Sequence, residues 1–246
     1  MRIAVVSDIH GNLPALEAVA ADFARRGVDA VVNLGDSLSG PLLPLETAQY
    51  LMASGWTHLA GNHERQILDT TAPQGASDSY ARSQLTGREL DWLRSLRPRA
   101  DFSEDVLLCH GTPDSDCEYL LETVEPANFR LASAAEVERR LGAVQAALVV
   151  CGHSHVPRSL RNARGQLLVN PGSVGVPGYA ASTPYPHLVQ NGSPDARYAI
   201  VERHEGRWQS CLIAVPYDFG PMAEMAGRRG RPQWQSVIAT GYVGSA

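Results

Sequence analysis

Short apolar runs alternate along this chain with segments whose apolar residues recur at helical spacing. The first run, RIAVV, precedes LPALEAVAADFARRG, in which Leu13, Leu16, Val19, Ala20 and Phe23 share one helical face, with Pro14 in the first turn and Gly27 at the stop. This predicts a β-α unit. DAVVNLG predicts a second strand, LETAQYLMASG a helix ending at Gly55, WTHLAG a third strand and SQLTGRELDWLRSL a helix. DVLLCHG then reads as a strand, SAAEVERRLGAV as a helix opened by Ser133 and Glu136 at capping-box spacing, and AALVVCG as another strand. The βαβ rhythm implies parallel pairing.

After Gly152 the pattern changes. RSLRNARGQLLVN predicts a hairpin turning at Asn162 to Gly165, and ARYAIVERHEGRWQSCLIAVP another turning at Glu205 and Gly206, so this half of the sheet system is expected to be antiparallel. Residues 175–196, GVPGYAASTPYPHLVQNGSPDA, are rich in Gly, Pro and Ser and predict a long loop; TTAPQGASD predicts a shorter one. The tail from Pro216 is expected to add a modest helix. The division expected is a domain over 1–215 and an extension over 216–246 packed on it.

Composition narrows the function classes. A length of 246 residues with 44% hydrophobic and 19% charged residues suits a folded α/β protein with a substantial core. The net charge of −5, with no run of Arg that could form a basic patch, argues against binding a nucleic-acid backbone. The 21 basic residues counted as Lys or Arg are all Arg, which removes Walker-type phosphate loops and Schiff-base or Ser-Lys chemistry. The four cysteines form no C-x-x-C pair and are expected to be small buried hydrophobes. MRIAVVSD is too briefly apolar for a signal peptide and no run approaches a membrane span, so a reducing, cytoplasmic setting without membrane partners is expected.

Metal-capable groups stand at the end of each predicted strand of the parallel region. VVSDIHGN carries Asp8 and His10, VNLGDS Asp36, LAGNHER Asn62 and His63, LLCHG His110, and VVCGHSH His153 and His155. Ligands bind at the C-terminal strand ends of open α/β sheets, so one rim would collect these groups. Asp8 with His10, and His153 with His155, are spaced i, i+2, which on extended backbone sends both side chains to one face. Each pair could then clamp one ion. Singly, Asp8, Asp36 or Asn62 would read as turn or cap residues, but five of the eight histidines fall in these motifs. Mixed imidazole and carboxylate donors suit Mn, Fe, Co, Ni or Zn better than Ca or Mg. Two such ions about 3.5 to 4 Å apart lower the pKa of a bridging water towards ~7 and stabilise an in-line displacement at phosphorus.

The ordered set D-x-H, G-D, G-N-H-E, H-G and G-H-x-H closely resembles the small bacterial and archaeal branch of the calcineurin-like metallophosphoesterases, from Met1 to about Val215. GDSLSGP and VNPGSVG are similar to further segments of that branch. The resemblance implies a four-layer α/β/β/α sandwich of two mixed sheets flanked by helices, with two divalent transition-metal ions at its centre. It implies one ion on Asp8, His10, Asp36 and His155, and the other on Asp36, Asn62, His110 and His153, with Asp36 bridging. It leaves His63 facing the substrate, so that His63, Asn62 and Asp36 form the expected catalytic set. The activity implied is hydrolysis of a phosphate ester by a metal-bridging hydroxide.

The protein Ser/Thr phosphatases of this superfamily carry an Asp-Arg shortly after the bridging Asp, whereas here the segment is SLSG. The missing Arg favours phosphodiesters over phosphomonoesters, although Arg65 after GNHE could partly replace it. Set against the branch it resembles, residues 175–196 are expected to form a longer loop, either a surface insertion or a substrate-facing lid with Tyr179, Tyr185 and His187. Two alternatives remain at this level: a hydrolase acting on cyclic nucleotides or dinucleoside polyphosphates, and a non-catalytic scaffold of the same fold. The partner expected is a small phosphate ester, a nucleotide among the candidates.

Overall fold

Runs apolar at every position, such as IAVV and VLLC, can be satisfied only where a strand is covered on both faces. The computed structural model, which describes residues 1–244, covers them in this way. The chain begins β1 (Arg2–Val6), α1 (Leu13–Arg26), β2 (Ala30–Asn33), α2 (Pro44–Ala53), β3 (Thr57–His58), α3 (Asn62–Leu68), α4 (Ala76–Gln84) and α5 (Gly87–Ser95). It continues with β4 (Arg99–Ser103), β5 (Val106–Cys109), β6 (Glu122–Glu125), β7 (Asn128–Leu131), α6 (Ala134–Leu141) and β8 (Leu148–Val150). The remainder is β9 (Arg158–Arg161), β10 (Leu167–Asn170), β11 (Gly178–Ala181), β12 (His187–Gln190), β13 (Ala196–His204), β14 (Arg207–Val215), α7 (Gly220–Arg228) and α8 (Pro232–Thr240).

Two five-stranded sheets form, in the orders β14-β13-β1-β2-β3 and β4-β5-β8-β10-β9. In the first, β1, β2 and β3 are parallel and the β13–β14 hairpin adds antiparallel to β1. In the second, β5, β8 and β10 are parallel, with β4 and β9 antiparallel at the edges. Alternation along each strand divides the burial. Ile3, Val5 and Leu34 meet Leu108, Val150 and Val169 between the sheets. Ala4 and Val6 turn outward onto Leu16, Val19 and Phe23 of α1, while Leu107 and Val149 turn onto Val137 and Leu141 of α6. The result is a four-layer α/β/β/α sandwich. Burying each such Val or Leu contributes about 1.5–3 kcal/mol.

Several local expectations are corrected. SQLTGRELDWLRSL is divided between α4 and α5, because Thr86 accepts from Arg88 N and its own N–H donates to Glu89 Oε2, starting a new helix. Only Thr57 and His58 of WTHLAG are strand, since the chain turns into the unpredicted helix α3. Residues 175–196 are not a structureless loop but carry the β11–β12 hairpin, and β4 and the β6–β7 hairpin also went unpredicted. The tail forms two helices, whose Met222, Ala226 and Ile238 pack on Leu42. Cys109 and Cys151 are buried as expected, whereas Cys117 and Cys211 are exposed. No helix among the described residues is long and apolar enough to cross a membrane.

Candidate metal centre

The topology sends the C-terminal ends of β1, β2, β5 and β8 to one rim, and the polar residues follow at once: Asp8 after β1, Asp36 after β2, His110 after β5, and His153 and His155 after β8. Asn62 and His63 arrive on the first turn of α3. The backbone there is not extended. Asp8, His10, Asp36, His153 and His155 have φ of 56°, 52°, 54°, 67° and 58°, in the left-handed region that costs L-residues roughly 1–2 kcal/mol each. Among the described residues only Ala127 and Glu205, both in hairpin turns, are the other non-glycines with positive φ. Strain gathered this way marks a site over-determined by its surroundings. It also overturns the simple i, i+2 argument, because His153 and His155 diverge.

Two groups of converging donors result, Asp8 with His10 and His155, and Asp36 with His110 and His153. His10 Nε2 lies 3.3 Å from His155 Nε2, which is 3.3 Å from Asp8 Oδ1; His110 Nε2 lies 3.1 Å from Asp36 Oδ2. Backbone carbonyls set the tautomers. Nδ1–H of His10, His110 and His155 donates to the carbonyls of Ser39 (2.7 Å), Leu34 (2.9 Å) and Val176 (2.6 Å), which turns each Nε2 inward. In His153 it is Nε2–H that donates, to Cys117 O at 3.1 Å, leaving Nδ1 as the free nitrogen.

The donor set fits metal ions. Asp8 Oδ1, Asn62 Oδ1 and His110 Nε2 are buried without a hydrogen bond of acceptable geometry, a costly state for polar atoms that a cation would relieve. Burial and the adjacent imidazoles, His155 and His110 respectively, push His10 and His153 down to about 4, so both keep a lone pair to offer. Burial opposes ionisation of Asp8 and Asp36, but His155 beside the first and His110 beside the second hold both carboxyls below their usual range. Burial likewise opposes charge on His110, yet Asp36 outweighs it and raises the imidazole to about 10. An ion on that pair would displace a proton. Gly61 is required for the approach, because a Cβ there would collide with Asp36 Oδ1 and lie 2.8 Å from His110 Cε1.

His63 is set apart from both groups. Its backbone N–H donates to Asp36 Oδ1 at 2.9 Å, while its Nδ1–H donates to Asp78 Oδ1 on α4 at 2.7 Å. Burial works against its charge, but Asp36 and the Asp78 hydrogen bond together raise the imidazole to about 9. With Nδ1 engaged by Asp78, Nε2 is the nitrogen left to the cavity that His63 lines. Glu64 fastens the turn: its carboxylate accepts from the N–H groups of Asp36 (2.8 Å), Ser37 (2.8 Å) and Gly61 (2.7 Å). Neither Asp78 nor Glu64 was singled out from sequence. Glu64 stands at the position of a capping-box acid, but Gly61 lacks the N-cap side chain that marks the pattern; Asp78 sits in a polar segment that carries no signal.

Arg65 is not available as a phosphate clamp, because its Nε and Nη2 are both taken by the Asp116 carboxylate at 2.8 Å. The β11–β12 hairpin does cover the site. Tyr179 lines a cavity of about 800 Å³ together with His63 and Trp234 of α8. Its hydroxyl lies 2.6 Å from that of Tyr119, which is 3.0 Å from His187 Nε2. Tyr185 is exposed, and His58 and His204 lie outside both donor groups.

A model of the calcineurin-like phosphoesterase superfamily domain matches residues 1–189. An uncharacterised protein of Methanocaldococcus jannaschii, MJ0912, is 25% identical, with 94% of each chain covered. Among solved structures, a metallophosphoesterase from Sphaerobacter thermophilus superposes with a TM-score of 0.77 at 25% identity, covering 98% of this chain and 99% of that one. The hypothetical protein PH1004 of Pyrococcus horikoshii OT3 shares the fold at a TM-score of 0.73 and 17% identity, with 99% of both chains covered. Strand ends that gather Asp, Asn and His around one rim, in a sandwich matched over most of its length, thus have a common origin: the chain belongs to the calcineurin-like phosphoesterase superfamily.

Proposed function

We propose that the protein is a phosphodiesterase with two divalent transition-metal ions, drawn from Mn, Fe, Co, Ni or Zn. Asp8, His10, Asp36 and His155 would hold one ion, and Asp36, Asn62, His110 and His153 the other, with Asp36 shared. Ions of this kind supply a nucleophile activated from water and offset the charge of the phosphorane-like transition state. The observation that carries the reading is the pair of donor groups, with Asp8 Oδ1, Asn62 Oδ1 and His110 Nε2 buried without a hydrogen bond of acceptable geometry.

The chain's own groups do the rest. His63 delivers the Nε2 proton to the departing ester oxygen, and Asp78 fixes the tautomer that leaves Nε2 available. An imidazole oriented by Asp78 in the cavity lining, apart from both donor groups, favours this reading over a non-catalytic scaffold. The preference for diesters follows from charge: a phosphomonoester dianion needs an additional cation, and Arg65 is already paired with Asp116. Metal-reconstituted protein should hydrolyse bis-p-nitrophenyl phosphate with a higher kcat/KM than p-nitrophenyl phosphate. A monoester preference would refute that assignment.

A further inference from the structure

The cavity beside the candidate metal centre has a lining of two kinds. Part is apolar or aromatic, formed by Trp234 and Val237 of α8 with Val176, Tyr179 and Pro184. The charged part is largely paired within the protein. Among the described lining residues the single Arg is Arg140, whose Nε donates to Glu118 (3.2 Å), Nη1 to the carbonyls of Glu122 (2.9 Å) and Leu120 (3.3 Å), and Nη2 to Thr123 Oγ1 (2.9 Å). Apart from Asp36, the lining carboxylates are Glu118, paired with Arg140, and Glu122, whose Oε1 accepts from Arg158 Nε at 2.7 Å. The chain has no Lys to add.

We propose that this cavity takes a diester with one phosphate and an uncharged planar substituent, and that Trp234 is the surface on which the substituent lies. The proposal rests on the phosphodiesterase reading and names its substrate class. The Trp234 ring is centred 6.0 Å from that of His10, which is centred 5.5 Å from His63, so the indole stands about one ring's width from the groups that would flank the phosphate. Its place is prepared by Gly40, where a Cβ would come within 2.8 Å of both Trp234 Cη2 and the His10 carbonyl oxygen. Trp234 is only partly buried, and flat π-faces stack on an indole largely irrespective of their substituents. A second phosphate would face Glu118 and Glu122 without a free cation to receive it. Dinucleoside polyphosphates are therefore disfavoured, and nucleoside esters of a single phosphate are admitted.

Calorimetric titration of the metal-loaded full chain with phosphinates, diester mimics whose P–C bonds cannot be hydrolysed, tests this without turnover. Diphenylphosphinate should bind at least tenfold tighter than dimethylphosphinate, a gap of about 1.4 kcal/mol, and tighter than methylenebis(phenylphosphinate), which carries a second anionic phosphorus group. Trp234→Leu, apolar but not planar, should remove most of the gap at unchanged metal content; Trp234→Phe should keep it within about threefold. Equal binding of the two monoanionic phosphinates by the wild type, an undiminished gap in Trp234→Leu, or tighter binding of the dianionic mimic would overturn the proposal. The wild-type ratios decide it alone if a variant misfolds. Protein that shows the binding gap but hydrolyses no diester contradicts the phosphodiesterase reading and not this one; protein that turns over diesters but binds both monoanionic phosphinates equally does the reverse.

Discussion

Replacing His63 by Asn should separate proton delivery from metal binding. The backbone N–H of residue 63, which donates to Asp36 Oδ1 at 2.9 Å, is retained, and the imidazole is 28% exposed, so no core cavity opens. Metal content should be unchanged. A positioned general acid contributes ~10²- to 10⁴-fold, or about 3 to 5 kcal/mol of barrier, and kcat should fall by that much with a nucleoside leaving group. The loss should be smaller with p-nitrophenolate, which leaves with little protonation. On the proposed reading Asp78 acts through His63, by a charge-assisted hydrogen bond of 2.7 Å that contributes about 1.5–3 kcal/mol. Asp78→Asn should therefore lose roughly 10- to 150-fold with the same leaving-group dependence. The assay is kcat on both diesters beside elemental analysis of each variant. Turnover by His63→Asn that is unaltered on both substrates, with both metals present, would exclude the imidazole from the reaction; loss of metal would make it a ligand.

Two further outcomes follow from contacts away from proton transfer. Gly61→Ala places a methyl group against Asp36 Oδ1 and His110, so it should lower metal occupancy in elemental analysis even where circular dichroism shows a folded protein; full occupancy would contradict the close approach. At Asp22, burial pushes the carboxyl up, but hydrogen bonds from Arg26 (2.6 Å) and the Tyr198 hydroxyl (2.7 Å) outweigh it and hold it below its usual range. Because the folded-state pKa is the lower one, its contribution to stability is complete above the unfolded value of about 3.9 and is lost as pH falls through the folded one. Asp22→Ala should cost about 1–3 kcal/mol at neutral pH by stranding the buried Tyr198 hydroxyl, and should flatten the acid limb of Tm against pH; an unchanged limb would contradict the linkage.

What could be read from sequence tracks how local each signal is. Strands such as β1, β5 and β8 announce themselves because both faces are buried, and α1 and α6 because one face is apolar and their ends are capped. The β11–β12 hairpin does not, since GYAA and HLVQ lack a clear apolar alternation and sit among Gly, Pro and Ser. Asn62 and His63 read as strand-end residues in the sequence. They open α3, where successive residues are turned by about 100°, so their side chains diverge. The metal-capable residues were legible as an ordered motif. Their left-handed backbone, the Asp78 buttress and the Trp234 wall were not, because each depends on segments brought together only by the fold.

The central claim is that Asp36 holds two ions in common. Elemental analysis of protein reconstituted with Mn or Zn tests it most directly. The account predicts two ions per chain in the wild type, a loss confined mainly to one ion in Asp8→Ala, and weakened binding of both in Asp36→Ala. Wild-type protein that never holds more than one ion per chain, or an Asp36→Ala variant that keeps both, would contradict it.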